Sequence, residues 1–303
     1  MPGSLLAVHA HPDDEVLYTG ALIAQAAAAG LPVTVVTCTR GERGEVLALP
    51  GTASARLAHL EGDGPALAAY REQELAASLR ALGDTVRGTF LDKLPCPVVS
   101  TRPPASAYST TRVETKERYE DSGMIWIAPG IAGPDPSVTG GFCAVPLDEA
   151  AARLALLIRR EHPAVVATYD ETGGYGHPDH IRAHQVTVRA MELAADPTFA
   201  SDGLAPWAAD LWQRTPLGAQ IDVGASDIAQ IEVAPVLDRV LAAMLAHATQ
   251  IQNVSAVAAG EALGSYALSN GVPAGICAQE FFLVTQTETG SQKFLAALDR
   301  IER

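Results

Sequence analysis

Short apolar runs alternate with longer amphipathic segments at the start of the chain. Residues 5–8 are apolar but too few for a helix, and they end at a turn that contains proline. Residues 14–29 are rich in alanine, leucine and isoleucine, and Gly30 follows them, as is typical of a helix C-terminus. Residues 33–38 are largely β-branched, as expected for a parallel strand that is covered on both faces. This order predicts a right-handed crossover in a Rossmann-like, mostly parallel sheet.

The same alternation continues along the chain and predicts an α/β fold. The further predicted helices lie at residues 65–82, 146–161, about 180 to 195, and 233–252. The further predicted strands lie at residues 89–91, 163–169 and 280–284. Residues 95–141 are rich in proline, serine, threonine and glycine and predict a long surface loop. Residues 197–232 predict no clear element.

Composition and charge exclude several classes of partner. The chain has 303 residues, of which 48% are hydrophobic and 18% charged, with a formal net charge of −14 and a pI near 4.9. This acidity argues against nucleic acid or an anionic membrane surface as a partner. Residues 1–4 lack the basic run of a secretory signal, and no stretch approaches the roughly 18 apolar residues that cross a bilayer. The four cysteines form no Cys-x-x-Cys pair, so we expect a cytoplasmic protein without a disulfide framework.

Two clusters of histidine and aspartate follow predicted strands. The first is HAHPDDE at residues 9–15, directly after the first strand, and the second is GGYGHPDH at residues 173–180. Ligand sites in open α/β sheets form outside the carboxyl ends of strands, where the strand order reverses, so we expect the clusters to face each other there. No Gly-x-Gly-x-x-Gly follows the first strand, and carboxylates stand where a pyrophosphate would bind. A nucleotide-binding site is therefore excluded.

A metal site accounts for both clusters. His11 and Asp14 stand three residues apart at a strand-to-helix turn and can converge on one ion. His180 is the best candidate for a third ligand, and three ligands leave open positions for water and substrate, as in catalytic zinc sites. A single turn of this kind is a simple helix N-cap in about three cases of four, but two turns with His-Pro-Asp favour a metal. We predict one divalent ion, Zn²⁺ or Fe²⁺, because the same ligands accept both.

The remaining polar residues of the clusters suit acid–base chemistry. Asp13 could take a proton from the metal-bound water, whose pKa a divalent ion lowers. His177, as a protonated imidazole, could stabilise an oxyanion or protonate a departing amine. The Tyr175 phenol could hydrogen-bond the same oxygen, although an ordinary half-buried loop tyrosine is an equally good interpretation. His9 belongs to the strand, and a place in the core or behind the ligands suits it better.

The sequence pattern changes near residue 196. We predict a Rossmann-like catalytic domain over residues 1–195 that carries the metal site. A smaller C-terminal α/β portion over residues 196–303 is predicted to pack on this domain and complete the pocket.

The sequence HPDDE at residues 11–15 resembles the signature of the LmbE-like, or PIG-L, family of N-acetylglucosaminyl deacetylases. The resemblance implies a Rossmann-like fold and a mononuclear zinc or ferrous iron site with one aspartate and two histidines. Carried over, it implies His11, Asp14 and His180 as metal ligands, Asp13 as general base and His177 as electrostatic catalyst. The implied activity is that of a metal-dependent amidohydrolase that releases acetate from a small-molecule N-acetyl amino sugar.

Further matches extend the resemblance through most of the chain and narrow it to one branch. They are TCT at residues 37–39, GEV at 44–46, YR at 70–71, DSGM at 121–124, GGYGHPDH at 173–180 and HATQ at 247–250. Together they are similar to the mycothiol-pathway branch, which deacetylates N-acetylglucosaminyl-inositol. The resemblance implies that Glu45, Arg71 and Asp121 line the sugar and inositol pocket and that Tyr175 assists catalysis. Taken singly, Glu45 and Arg71 would more often be solvated surface charges.

Other functions stay open at this point. The mycothiol S-conjugate amidase shares the signature turns but cleaves a larger amide; Gly176 stands where that branch has proline, and Tyr18 and Thr19 stand where it has a lysine. A deacetylase of another N-acyl amino sugar would have the same site. A non-haem iron oxygenase also uses two histidines and one carboxylate, but usually inside a β-barrel. A sugar- or metal-binding module without turnover would not need Asp13 and His177.

Overall fold

A seven-stranded sheet with helices on both faces forms the centre of the protein. The computed structural model describes residues 3–52, 54–96, 118–199, 203–215, 227–257, 260–269, 271–285 and 290–299. The strands, numbered in chain order, are β1 (Leu5–His9), β2 (Val33–Thr37), β3 (Val86–Phe90), β4 (Met124–Ala128), β5 (Ile131–Pro134), β6 (Val165–Tyr169), β7 (Asp210–Arg214), β8 (Ile228–Glu232), β9 (Gln252–Ser255), β10 (Gly264–Ala267), β11 (Pro273–Ile276) and β12 (Gln279–Thr285). The helices are α1 (Asp14–Ala28), α2 (Gly64–Leu82), α3 (Leu147–Glu161), α4 (Gly173–Gly176), α5 (Pro178–Ala195), α6 (Leu237–Ala246) and α7 (Gly290–Leu298).

The strand order of the large sheet is β3-β2-β1-β6-β7-β12-β8. Strands β3, β2, β1, β6 and β7 are parallel, and β12 runs antiparallel to both of its neighbours. The order reverses between β1 and β6, because the chain moves outward to β3 on one side and to β7 on the other. The predicted α/β fold with a Rossmann-like, mostly parallel sheet is confirmed.

The continuous apolar runs of the central strands are explained by helices that cover both faces of the sheet. In β1, Leu5 and Ala7 pack into a core shared with α1, α2, α6 and α7. Leu6 and Val8 point to the opposite face and pack into a core shared with α3 and α5. Successive residues of a strand point to opposite faces, which explains why residues 5–8 of β1 are all apolar.

Most predicted elements lie where the sequence placed them, and their ends have local causes. The α2 helix begins after Asp63, whose carboxylate accepts a hydrogen bond from the Ala66 backbone N–H at 3.1 Å. Strand β12 and helices α1, α3 and α5 also agree with the prediction within a few residues. Strand β3 begins at Val86, earlier than predicted, and Leu91 already belongs to a 3₁₀ turn.

The predicted helix over residues 233–252 is wrong in its extent. A 3₁₀ turn occupies Ala234–Val236, α6 ends at Ala246, and β9 begins at Gln252. The backbone leaves the helical region at His247, whose φ is −89° and ψ 53°. Hydrogen bonds of His247 and Thr249 to buried carboxylates hold this turn, and they override the helix propensity of the alanine-rich sequence.

The predicted surface loop over residues 95–141 is wrong in its second half. Strands β4 and β5 form an antiparallel hairpin there, and it packs against α4 and α5. Gly130, with φ 74°, forms the tight turn, and β4 before it contains Ile125, Trp126 and Ile127, which are β-branched or aromatic and suit a strand. Residues 97–117 of the predicted loop lie outside the described residues.

Strands from beyond residue 196 complete the large sheet. Strands β7, β8 and β12 extend it on one side, and β9, β10 and β11 form a separate three-stranded sheet. The sequence predicted no element for residues 197–232, where β7 and β8 lie; residues 200–202 and 216–226 are outside the described residues. The division at residue 195 stays a prediction. In the described part of the chain, no helix is long and apolar enough to cross a membrane.

A buried carboxylate on β12 supports a break in α1. Thr19 has non-helical dihedral angles, φ −137° and ψ 19°, so the backbone N–H groups beyond it need new acceptors. The Glu280 carboxylate accepts hydrogen bonds from the N–H of Ala21 at 2.7 Å and of Leu22 at 3.0 Å. Burial raises the pKa of Glu280 from 4.5 to about 7.

We expect Glu280→Gln to make the free energy of unfolding less dependent on pH. Between pH 4.5 and about 7 the folded protein keeps a proton on Glu280 that the unfolded chain releases. The resulting stabilisation is complete below pH 4.5 and is lost as the pH rises through 7. The free energy of unfolding, measured with urea, should fall more between pH 5 and pH 8 for the wild type than for the variant. An equal fall in both proteins would contradict the expectation.

Candidate metal centre

The two His/Asp clusters lie side by side where the strand order reverses. The turn that contains His11 and Asp14 follows β1, and the turn that contains His177 and His180 follows β6, the neighbour of β1. All four side chains are buried. Asp14 is the first residue of α1, and His180 lies in the first turn of α5, so both project from helix N-termini toward one point.

Hydrogen bonds fix which nitrogen of each histidine is free. His180 Nδ1 lies 3.1 Å from the Gly173 carbonyl oxygen, and donation there leaves the lone pair on Nε2. His11 Nε2 lies 3.2 Å from Asp179 Oδ2, and donation there leaves the lone pair on Nδ1 when the ring is neutral, as a metal ligand must be. The two free nitrogens each lie 3.4 Å from Asp14 Oδ2.

These separations suit a divalent cation. Zinc–ligand bonds of about 2.0–2.1 Å in tetrahedral geometry separate neighbouring ligand atoms by about 3.4 Å. Two groups of three residues have ligand atoms that all lie within 4.8 Å of one another: His11 with His177 and His180, and His11 with Asp121 and Asp179. The first of these shares His11 and His180 with the predicted ligand set. The protein therefore has a His/Asp group that can hold a metal ion.

The charges of the centre also suit a cation. Burial would raise the pKa of Asp14, but His180 and His11 outweigh it and hold that pKa well below its usual range. For His11 the two effects have the opposite sign. Burial alone would lower the pKa of its imidazole, but the Asp121, Asp14 and Asp179 carboxylates raise that pKa well above its usual value. A site that holds so many carboxylates around two imidazoles attracts positive charge.

Asp13 adopts a strained backbone conformation beside the three predicted ligands. Its φ of 102° lies in a region that costs a non-glycine residue about 1–3 kcal/mol. Its backbone N–H donates to Glu15 Oε2 at 2.9 Å, and Arg71 Nη2 lies 3.3 Å from its Oδ2. Burial raises the pKa of Asp13 to about 7, against the opposing effect of Arg71.

Glu45, Arg71 and Asp121, the predicted substrate-binding residues, line one cavity of about 230 Å³ together with the predicted ligands. Arg71 is buried, and its guanidinium donates to the carbonyl oxygens of Gly41, at 2.6 Å, and Pro12. Asp121 Oδ2 lies 3.8 Å from His11 Nε2, and burial raises the pKa of its carboxyl. Glu45 is exposed at the rim. Arg71 and Asp121 are thus not the solvated surface charges that single residues of these types usually are.

The surroundings of His177 favour its neutral imidazole, whereas the sequence led us to expect the protonated form. Its Nδ1 accepts a hydrogen bond from the Asp179 backbone N–H at 3.1 Å, which leaves the proton on Nε2. Burial and the neighbouring His11 and His180 rings lower the pKa of His177 to about 2. The sequence could not show this, because the cause is the packing of three imidazoles in one buried space.

Tyr175 lines the same cavity from the short α4 helix. Its ring centroid lies 5.2 Å from that of His180 and 6.0 Å from that of His177. The loop can come this close because Gly173 has φ 66°, and a Cβ there would lie 2.7 Å from the Cβ of His180. His9 lies behind the site, where its Nε2 is hydrogen-bonded to the Thr19 hydroxyl at 2.8 Å.

Four residues that shape the site were not predicted from the sequence. Asp179 orients His11 through a hydrogen bond to its Nε2. Its place as the aspartate of the second His-Pro-Asp sequence, at residues 177–179, could have indicated this role. Glu15 and His247 support Asp13 from behind, and both belong to motifs that resemble the family, at residues 11–15 and 247–250. Trp126 of β4 lines the cavity next to Tyr175, with ring centroids 5.8 Å apart, and no pattern in the sequence indicated it.

Comparison with known sequences yields one family and several close relatives. Residues 6–191 match the family model PIG-L, described as GlcNAc-PI de-N-acetylase. A protein of Streptomyces avermitilis is 44% identical over 70% of this chain, and the chain covers 61% of that relative, so it spans less than two thirds of its length. A relative from Thermobifida fusca is 36% identical over 92% of this chain and 91% of its own length. A relative from Rhodococcus erythropolis is 37% identical over 94% of this chain and 92% of its own length. All three are named 1D-myo-inositol 2-acetamido-2-deoxy-alpha-D-glucopyranoside deacetylase.

Solved structures share the fold at low sequence identity. The 4-carboxy-2-hydroxymuconate hydratase of Pseudomonas putida is 20% identical, with a TM-score of 0.53 over 82% of this chain and 80% of that one. The N,N'-diacetylchitobiose deacetylase of Pyrococcus horikoshii is also 20% identical, with a TM-score of 0.50 over 82% of this chain and 70% of that one. The fold is thus common to a hydratase and a deacetylase, so the reaction must be argued from the site.

We expect His180→Ala to weaken metal binding by at least about 100-fold, because it removes one of the three predicted ligand atoms. Metal analysis after dialysis against a competing chelator measures the effect. His184→Ala is the matched control: this residue lies one turn further along α5, and its Nδ1 is hydrogen-bonded to the Tyr169 carbonyl oxygen at 2.9 Å. Full metal content in His180→Ala would contradict the predicted ligand set.

Proposed function

The chain belongs to the PIG-L family, and on that premise we propose that it is a metal-dependent deacetylase that hydrolyses the N-acetyl group of an amino sugar. One observation carries the proposal. The free nitrogens of His11 and His180 and a carboxylate oxygen of Asp14 converge beside Asp13, at the base of a cavity of about 230 Å³. This arrangement provides a place for a cation, a carboxylate next to it, and room for a sugar.

The proposed metal ligands are His11 Nδ1, Asp14 Oδ2 and His180 Nε2. His177 suits the role less well, because its Nδ1 lone pair already accepts a hydrogen bond. The proposed ion is Zn²⁺, with Fe²⁺ as the alternative that the same ligands accept. When bound, the cation polarises the acetamide carbonyl and lowers the pKa of the attacking water.

The side chains of the chain itself move the protons. Asp13 accepts a proton from the attacking water, and Arg71 and Glu15 hold its carboxylate and its backbone in place. The Nε2–H of His177 donates to the oxygen on which negative charge develops, as a neutral donor rather than as an imidazolium. The Tyr175 hydroxyl lines the same cavity and supplies a second donor to that oxygen.

We assign the substrate as N-acetylglucosaminyl-inositol, with acetate and glucosaminyl-inositol as products, in mycothiol biosynthesis. Glu45, Arg71 and Asp121 lie in the same cavity and place charged groups where a substrate with many hydroxyl groups would bind. The names of the relatives support this choice. The alternatives are the mycothiol S-conjugate amidase reaction and deacetylation of another N-acyl amino sugar.

We place the protein in the cytoplasm, with a small-molecule amino sugar as its partner and no nucleic acid or membrane. The net charge of −14 supports the absence of polyanionic partners. Cys38, Cys143 and Cys277 are free thiols, which suits a reducing compartment.

Amine release from three acetamides tests the proposal. Metal-loaded protein is assayed with N-acetylglucosaminyl-inositol, N-acetylglucosamine and a bulky mycothiol S-conjugate, and chelated protein serves as the blank. We expect metal-dependent release mainly from the first compound. Preference for the conjugate would move the protein to the amidase branch, and release from none of the three would refute the deacetylase.

The Asp13→Asn variant is the control that ties turnover to this site. It should keep its metal and lose activity by about 10²–10⁴-fold, because the amide cannot accept the proton. Asp135→Asn, a change at a carboxyl group on the protein surface, should keep full activity. Equal turnover by the wild type and Asp13→Asn would remove Asp13 from the role of base.

A further inference from the structure

A buried chain of hydrogen bonds connects His247 to the backbone of Asp13. His247 Nε2 donates to Glu15 Oε1 at 2.6 Å, and the other oxygen of Glu15 accepts from the Asp13 N–H at 2.9 Å. The Ser78 hydroxyl donates to the same Glu15 Oε1 at 2.5 Å. Glu15 and His247 are fully buried and do not line the cavity, so neither touches a substrate.

His247 is itself held in one position. Its carbonyl oxygen accepts from the backbone N–H groups of Gln250, at 3.0 Å, and Ile251, at 2.8 Å. Two residues further along the chain, Thr249 donates to the Glu74 carboxylate through its N–H at 2.8 Å and its hydroxyl at 2.6 Å. The end of α6 is therefore fixed against α2, and the imidazole cannot follow Glu15 if Glu15 moves.

The chain of hydrogen bonds acts on the most strained residue of the site. With φ at 102°, the Asp13 peptide would relax unless its N–H were held, and the acceptor that holds it is Glu15. Arg71 restrains the other end of the residue through the carboxylate at 3.3 Å. The direction of the Asp13 carboxylate thus depends on two restraints, one of which passes through His247.

We propose that His247 is a positioning residue, which fixes Glu15 and through it the backbone and carboxylate direction of Asp13. The inference rests on the proposed deacetylase function, in which Asp13 accepts the proton of the attacking water. His247 acts by donating one hydrogen bond from Nε2. A side chain that places a donor at the same point should therefore replace it.

The test compares four variants of the full-length, metal-loaded protein. His247→Ala removes the donor, and His247→Gln keeps an N–H donor at a similar distance from the backbone. Ser78→Ala removes the second donor to Glu15. Met244→Ala is the matched control, because Met244 is buried on α6 but has no hydrogen bond with Glu15. The readouts are kcat and KM for the N-acetyl sugar, metal content, thermal stability, and the Asp13 φ in crystal structures.

We expect His247→Ala to lower kcat by about 10- to 100-fold, since displacement of a catalytic group by about 1 Å has an effect of this size. KM should change by less than about twofold, and metal content should stay unchanged, because the ligands are not touched. His247→Gln should restore most of kcat. Ser78→Ala should lower kcat less than His247→Ala, and Met244→Ala should lower thermal stability without lowering kcat.

An unchanged kcat in His247→Ala would refute the positioning role. An equal loss of kcat in Met244→Ala, or a loss of kcat that is proportional to a loss of bound metal, would also refute it. If His247→Ala does not fold, His247→Gln and Ser78→Ala carry the comparison. The crystal structures separate the two proposals. Asp13 should leave its positive φ in His247→Ala and keep it in His247→Gln even if the wild type deacetylates no sugar, and a φ that stays the same in both variants refutes the positioning role.

Discussion

The rest of the site depends on one constraint, a surplus of buried carboxylates at the point where the strand order of the sheet reverses. Asp13, Asp14, Asp121 and Asp179 meet there, and among the described residues only Arg71 is a permanently charged partner within ion-pair distance. Burying carboxylates without compensation costs several kcal/mol each. The N-termini of α1 and α5 offset part of this cost for Asp14 and Asp179. A divalent cation bound there would offset most of the remainder.

Support for this site comes from distant parts of the chain. Arg71 of α2 and His247 at the end of α6 both act on Asp13, one on its carboxylate and one through Glu15 on its backbone. Glu280 of β12 compensates the break in α1 a few residues after Asp14. The first βα turn can therefore keep a strained residue and a kinked helix, because buried hydrogen bonds from C-terminal elements hold both.

The sequence predicted the sheet and the position of the site because both follow from local patterns. Continuous apolar runs indicated parallel strands, and the two His-Pro-Asp clusters followed strands that proved to be neighbours. The family resemblance is confirmed, whereas the roles of individual site residues stay predictions. The end of α6 and the neutral state of His177 could not be predicted, because they depend on contacts between residues far apart in sequence, such as His247 with Glu15. The β4–β5 hairpin has a local strand signal in Ile125, Trp126 and Ile127, but the loop-like composition around it hides that signal.

The most direct test of the account is anomalous X-ray diffraction from crystals of the zinc-loaded protein, with data collected on both sides of the zinc absorption edge. The account predicts one strong anomalous peak about 2.0–2.2 Å from His11 Nδ1, Asp14 Oδ2 and His180 Nε2. A peak between His11, Asp121 and Asp179, whose ligand atoms also lie close together, would contradict the central claim. It would also place the cation where His11 now donates to Asp179.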